Sequence, residues 1–276
     1  MKGQVIRIIS NLYTVKCGEE VYGCRARGKF RNQNLSPVVG DYVIIDSDNN
    51  IITEILPRKN ELKRPVIANV DKVFIIASVK RPDLDLFLLD KLISVVIYNN
   101  IEPVIVLTKI DLLASSELEK IENIKLYYNS IGIKCLYNTE VEEIMNLIDN
   151  NIIVLAGQTG AGKSSLINRL DSSKNIKIDD ISEALGRGKH TTRHVELYRI
   201  GNGYIADTPG FSSLDLNMEK DELKFTFSEF NNYECKFRDC IHDKETNCRI
   251  KKAVEDNEIL KSRYDNYLLF LKEIER

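Results

Sequence analysis

No run of about eighteen apolar residues occurs in the 276-residue chain, so no segment reads as a membrane-crossing helix. Met1-Lys2-Gly3-Gln4 opens directly into a strand-like pattern and lacks the apolar core of a secretory leader. A soluble, cytoplasmic protein with no membrane partner is expected. A surplus of one charge sign is also missing. A formal net charge of −2 and a pI near 6.0 exclude a globally basic nucleic-acid coat and leave only local patches for RNA or DNA. Cysteine is too sparse and uneven for a disulfide framework. Of six, Cys235, Cys240 and Cys248 crowd together beside His242, while Cys17, Cys24 and Cys135 are scattered through segments that read as strands or their edges. A reduced compartment with one metal site fits that distribution. What the chain does have is 43% apolar residues, enough to build one large or two to three modest domains.

The most informative stretch is Ile152 to Ser165, reading IIVLAGQTGAGKSS. A short apolar run leads into Gly157-x-x-x-x-Gly162-Lys163-Ser164 and then into Leu166, Ile167 and Leu170 at helical spacing, the strand, loop and helix of a P-loop. Triphosphate oxygens need many donors at close approach. Gly157, Gly160, Ala161 and Gly162 let the backbone come near, the following helix aims its first N–H groups at the phosphates, Lys163 supplies a point charge, and Ser164 can ligate Mg. Lys163 is thereby both a binding and a catalytic candidate.

Before this stretch, residues 1 to about 56 carry short β-branched runs (Gln4–Ile9, Leu12–Lys16, Val38–Ile45 and Ile51–Ile55) separated by turn residues. Closely spaced strands without a helix between them predict a small β-barrel. Arg25, Arg27, Lys29 and Arg31 fall at every second position, so a continuous strand would put all four cations on one face, either to track phosphates or simply to face solvent. Leu56 to Pro65 is basic and bracketed by prolines, which predicts a linker and a domain boundary near residue 62.

Beyond it, buried-type strands alternate with helices: a strand over Val73–Val79, a helix from Asp83 to Tyr98, a strand over Val104–Leu107, a helix from Ser116 to Ser130 and a strand over Lys134–Tyr137. A helix capped by Thr139-x-x-Glu142 then runs to Ile148. This predicts a mostly parallel, doubly wound sheet. Thr108-Lys109-Ile110-Asp111 follows one strand and Asp207-Thr208-Pro209-Gly210 another, so both can meet the P-loop at the carboxyl ends of the strands. Asp111 can accept two N–H bonds from guanine's edge, which adenine cannot offer, with Lys109 packing its stem along base or loop. Asp207 is expected to hold Mg through water, and the Gly210 N–H to meet the terminal phosphate.

Between these motifs lies Gly186-Arg187-Gly188-Lys189-His190-Thr191-Thr192-Arg193-His194, whose glycines and charges predict a mobile loop. Thr192, with Thr191 second, is the candidate for a further Mg ligand. His190 is a candidate for positioning water or stabilising charge, beside the plainer reading of a solvated histidine. Phe211 stands where many GTPases carry a water-orienting Gln, which predicts slow unaided hydrolysis.

The last segment opens with a short helix capped at Asn217 and reaches Cys235-x4-Cys240-x-His242-x5-Cys248, three thiolates and an imidazole suited to a closed, structural Zn site. Lys236, Arg238, Lys244, Arg249, Lys251, Lys252 and Phe237 surround it, as an RNA-contacting knuckle would require. Ile259, Leu260, Tyr264, Tyr267, Leu268, Leu271 and Ile274 then mark an amphipathic helix.

In the usual GTPase the P-loop precedes the guanine motif, whereas here Thr108–Asp111 comes before Gly157–Ser164, which comes before Asp207–Gly210. The same sheet can form only if the chain is circularly permuted, which surface termini permit. Together these motifs resemble the ribosome small subunit-dependent GTPase family over nearly the whole chain: the Arg25–Arg31 run, Thr108–Asp111, Gly157–Ser165, Gly186–Thr192, Asp207–Gly210 and the Cys235, Cys240, His242, Cys248 cluster. The resemblance implies an OB-fold barrel (1–62), a circularly permuted α/β P-loop GTPase domain (63–215) and a zinc-binding helical domain (216–276). It implies a monomeric GTPase that uses GTP/GDP with Mg and one structural Zn, and that binds the small ribosomal subunit and its rRNA. Stimulated hydrolysis would assist late maturation of that subunit. Two departures stand out: Thr108 sits where Asn is commonest, and Tyr137-Asn138-Thr139 where a Ser-Ala loop is usual. A P-loop kinase or ATPase, and an rRNA-binding scaffold with a vestigial nucleotide site, are the alternatives.

Overall fold

The computed structural model describes residues 1–28, 30, 35–63, 65–171, 195–207 and 215–275. In chain order the first strands are β1 (Lys2–Ile9), β2 (Leu12–Cys17), β3 (Glu20–Ala26), β4 (Tyr42–Asp46), β5 (Ile51–Ile55), β6 (Glu61–Lys63), β7 (Val66–Ala68) and β8 (Lys72–Ser78). Next come α1 (Leu86–Tyr98), β9 (Glu102–Thr108), α2 (Ser115–Ser130), β10 (Lys134–Tyr137), α3 (Val141–Ile148), β11 (Ile152–Ala156), α4 (Lys163–Leu170), β12 (Glu196–Ile200) and β13 (Gly203–Asp207). The chain closes with α5 (Lys220–Leu223), α6 (Arg249–Glu255) and α7 (Lys261–Ile274). It divides into two compact units, one of residues 1–74, 139–156 and 163–211, the other of 75–138, 157–162 and 212–276.

In the first unit β1 to β5 close on themselves in the order β1-β2-β3-β5-β4 with β4 returning to β1, an OB-like five-stranded barrel. Period-2 alternation drives the closure: Val5, Val15, Cys24, Val43 and Ile52 point inward and are fully buried. The strand predicted from Val38 begins only at Tyr42, because residues 36–41 are spent on a turn around the buried carboxylate of Asp41. Gly40 has φ +89°, and a Cβ there would lie 2.0 Å from the Ala68 carbonyl oxygen, so only glycine fits. Described residues of the predicted linker take part in a strand pair and in ion pairs. Leu62 and Ile67 pair across the β6–β7 hairpin. Arg58 donates from Nε and Nη2 to the two Asp41 oxygens at 2.7 Å each, and from Nη1 to Glu61 at 2.6 Å. The same unit carries β11 parallel to β13, β13 antiparallel to β12, and β12 bridged to β1 at Arg7 and Glu196.

In the second unit β10 runs parallel to β9, with β8 on the other side of β9. Six of the seven residues of β9 are buried, as a strand covered on both faces requires. Asp85 caps α1 by accepting the Leu88 N–H at 3.0 Å, so this helix starts at Leu86, three residues later than the predicted Asp83. The capping box predicted at Thr139 does not form: α3 opens at Val141 without a side-chain cap. Likewise Asn217 caps nothing, and α5 opens from Glu219, whose N–H donates to Glu222 at 2.8 Å. The core of the C-terminal segment gathers Leu223, Phe227, Phe230, Ile250, Tyr267 and Phe270.

Candidate nucleotide site and metal cluster

The P-loop backbone is dictated by close approach. Gly157 has φ +132°, and a Cβ on it would lie 2.2 Å from the carbonyl oxygen of Ile76 in β8, which no other residue could satisfy. Ala161 is buried, and its carbonyl accepts the Thr108 hydroxyl at 2.5 Å. Gly162, at φ +103°, faces the same threonine side chain. The permuted order therefore still brings the residue opening the guanine motif onto the phosphate loop. The position where an amide is commonest is filled by one hydroxyl that makes one brace, leaving Thr108 itself buried.

Beyond Thr108 the chain turns sharply. Lys109 adopts φ +61° and donates its ammonium to the Arg81 carbonyl, and a 3-10 turn at Ile110–Leu112 carries Asp111 into solvent. Asn138, in the loop after β10, donates its N–H to the Leu107 carbonyl at 2.9 Å, which fastens that loop to the end of β9.

Lys163 and Ser164, in the first unit, open α4, whose Leu166 and Ile167 are buried; Ser165 is exposed. Burial lowers the Lys163 pKa, a penalty on its charge that an anion would offset. The N–H groups at this helix start point along its axis towards incoming anions, and with Lys163 and the Ser164 hydroxyl they can receive phosphate and a hydrated divalent cation. Asp207 ends β13 opposite Glu196. Gly210, Phe211, His190, Thr191 and Thr192 lie outside the described residues.

On the barrel, Arg25 and Arg27 are exposed and line an open cleft of about 700 Å3 together with Ile9, Leu12 and Tyr13. The predicted four-cation face is not one strand: β3 stops at Ala26, so Arg25 alone lies within it, and Lys29 and Arg31 are outside the described residues.

The four metal-ligand candidates do converge. Their ligand atoms lie within 4.8 Å of one another. His242 Nδ1 is 3.5, 3.3 and 3.4 Å from the sulfurs of Cys235, Cys240 and Cys248, and Cys235 and Cys248 are 3.8 Å apart. Tetrahedral bonds of ordinary Zn–S and Zn–N length imply edges of about 3.8 and about 3.5 Å, so the donor set fits Zn. Burial first, with the neighbouring Cys235 and Cys248 sulfurs adding to it, pushes the Cys240 thiol up to about 12, and burial with Lys224 nearby lowers His242 to about 4. Without a cation the cluster would be neutral and poorly bonded. The supports are local: Tyr264 and Tyr267 donate to the carbonyls of His242 and Ile241 at 2.7 and 2.5 Å, and Glu245 accepts the N–H groups of Ile241 and Asp243. Around it Lys236, Phe237, Arg238, Lys244, Arg249 and Lys252 are exposed, and Lys251 half-buried.

Sequence reading missed the polar centre beside it. Arg263 is fully buried in α7, in a position that patterning marks as polar. It donates to Asp90 of α1 at 2.7 Å and bidentately to Glu229 at 2.9 and 3.1 Å, while Tyr128 and Asn266 donate to the two Asp90 oxygens at 2.6 and 2.7 Å. Burial opposes the charge on Arg263, but Asp90 and Glu229 outweigh it and hold the pKa high.

Two family models match the sequence. One described as RsgA GTPase covers residues 55–217, and one described as RsgA N-terminal domain covers 2–53. The chain is 45% identical over 285 residues to the Small ribosomal subunit biogenesis GTPase RsgA 2 of Oceanobacillus iheyensis, spanning 99% of this chain and 97% of that protein. It is 45% identical over 284 residues to the Small ribosomal subunit biogenesis GTPase RsgA of Enterococcus faecalis, at 100% and 96%. Among solved structures it is similar to YloQ, a circularly permuted GTPase, with TM-score 0.85, 36% identity and 99% and 94% coverage. It is similar also to YjeQ from Thermotoga maritima, with TM-score 0.86, 35% identity and 99% and 98% coverage.

Proposed function

The chain belongs to the RsgA GTPase family, and from that premise we propose that this GTPase binds the small ribosomal subunit, hydrolyses GTP to GDP and phosphate when stimulated by it, and so assists the subunit's late maturation. The observation that carries the nucleotide assignment is the Thr108 hydroxyl on the Ala161 carbonyl, which ties the guanine motif to the phosphate loop although 53 positions separate the two residues. The printed names of the relatives support the partner.

In this reading the backbone of Gly157, Gly160, Ala161 and Gly162 cradles the phosphates, and Lys163 neutralises charge on them. Ser164 and Ser165 stand at the helix start, Ser164, Thr192 and Asp207 would hold Mg, and Gly210 meets the terminal phosphate. Mg, when bound, draws charge off the transferring oxygens. Thr108, Lys109 and Asp111 select guanine, and His190 is the candidate catalytic group. With Phe211 in place of a water-orienting amide, unaided turnover is slow and the ribosomal partner supplies the acceleration. Residues 1–62 and 216–276 are the flanking RNA-contacting domains around a 63–215 GTPase domain, the last holding one structural Zn through Cys235, Cys240, His242 and Cys248. We read the protein as a cytoplasmic monomer.

The decisive experiment measures GTP turnover with small subunits, with large subunits and with neither. Acceleration by small subunits alone is expected; equal rates in all three would sink the ribosomal assignment. Replacing Asp111 by Asn is expected to move base preference from guanine towards xanthine, and equal affinity of the native protein for ATP and GTP would remove the role given to Asp111.

A further inference from the structure

Two consecutive residues outside every motif, Lys80 and Arg81, grip both ends of the loop that carries Asp111. At its start, the Arg81 carbonyl accepts the Lys109 ammonium. At its end, the Ala114 N–H donates to a Glu117 carboxylate oxygen at 2.8 Å, and Lys80 Nζ donates to both oxygens of that carboxylate at 2.7 and 3.0 Å. The grip is anchored in the core, for the buried Ser78 hydroxyl donates to the Lys80 carbonyl at 2.7 Å. Between Thr108 and Ala114 lie the left-handed Lys109, the 3-10 turn Ile110–Leu112, closed by the Leu112 N–H on the Lys109 carbonyl, and the extended Leu113, whose N–H donates to the Ile110 carbonyl.

A carboxylate reads a base edge only if its two oxygens are held in the plane of the two N–H groups. Asp111 is exposed, so no packing around its side chain can fix it, and its aim depends on the backbone turn beneath it. That turn has one hydroxyl brace at Thr108, and the rest of its shape depends on its ends. We propose that Lys80, acting through Glu117, is a positioning residue for base recognition. It holds the loop Lys109–Ala114 in the form that presents Asp111 to guanine. The proposal rests on the reading of Asp111 as the guanine-selecting carboxylate. The Glu117 pKa is lowered, chiefly by its bond to Lys80, as expected of a carboxylate kept ionised by that partner.

The test uses the full chain and isothermal titration with GDP, and with inorganic tripolyphosphate as a ligand lacking a base. Lys80→Ala and Glu117→Gln are each expected to weaken GDP binding by about two- to five-fold, the range of a solvent-accessible ion pair, and to leave tripolyphosphate affinity and kcat at saturating GTP unchanged. Lys80→Arg is expected to restore GDP affinity, and the loss should shrink in 1 M salt, where screening acts over about 3 Å. Unchanged GDP affinity in both variants would overturn the proposal, as would an equal loss for tripolyphosphate, which marks a general loosening of the site. Asp111→Asn separates the two levels of the claim. If it moves base preference to xanthine while the Lys80 and Glu117 variants bind GDP normally, only the positioning role fails. If it moves nothing, the reading of Asp111 fails and the positioning role falls with it.

Discussion

The same C-terminal segment is held by two polar centres of opposite kind. In the cluster of Cys235, Cys240, His242 and Cys248, the first and last cysteines are only 13 positions apart. Each member is a poor partner for the others until a cation arrives. In the centre around Arg263 the partners are the chain's own side chains, they come from distant parts of the sequence, and Asp90 lies 173 positions away. The first would take its free energy from an ion outside the chain, the second takes it from mutual compensation of charges that have already lost their water. A metal centre can therefore be removed and restored, whereas a buried ion network can only be dismantled.

The largest expected effect comes from the first centre. Stripping the metal with a chelator, or Cys240→Ala, is expected to lose about one equivalent of Zn and to unfold the segment around it, since structural Zn in small modules contributes about 10–16 kcal/mol of apparent binding free energy. Metal analysis with circular dichroism checks this, and a metal-free native protein of unchanged stability would refute the site. Acidification sharpens the contrast. The ligands bind Zn as thiolates and neutral imidazole, so falling pH favours the protonated, metal-free form, while the Arg263 guanidinium keeps its charge. Zn release, followed with a chromogenic chelator, should increase as pH is lowered; retention independent of pH would contradict thiolate ligation.

Next in size is Arg263→Met. It leaves Asp90 and Glu229 buried without their cation and is expected to cost about 3–5 kcal/mol in denaturant unfolding. Combining it with Asp90→Leu and Glu229→Leu should recover most of that loss, because the desolvation penalty goes with the charges. A triple variant no more stable than the single one would show that the network does more than cancel its own charges. The smallest effect is expected for Tyr264→Phe, which removes one hydroxyl from the His242 carbonyl and should lower stability by about 1 kcal/mol. A loss several times larger would mean that this hydroxyl orients the metal ligand rather than merely bonding a nearby carbonyl.

The two centres also mark how far a sequence can be read. The cysteines and His242 announce themselves because few other purposes put such donors at that density. The P-loop is legible because its glycines answer a backbone demand, as Gly157 does against the Ile76 carbonyl. Arg263 is illegible because a charged residue in an amphipathic helix is read as solvent-facing, and only the arrival of Asp90 and Glu229 reverses that reading. The same holds for Arg58, where a proline-bracketed basic stretch looks like a linker until Asp41 is brought against it. Helix starts are hard to read for a related reason: Thr139 and Asn217 have capping chemistry, but the chain enters α3 and α5 elsewhere.

What the sequence offered by itself is a set of candidates: a P-loop pattern, a carboxylate proposed to read guanine, a set of possible metal ligands and the permuted order in which they come. Those follow from residue type and short spacing, which need no knowledge of distant neighbours. Tertiary structure alone decided which hydroxyl bonds the Ala161 carbonyl, which lysine meets the Glu117 carboxylate at the end of the loop after β9, and which arginine sits dry between two carboxylates. Such pairings join residues dozens to hundreds of positions apart, and their worth depends on burial and dielectric, quantities that exist only once the chain has folded.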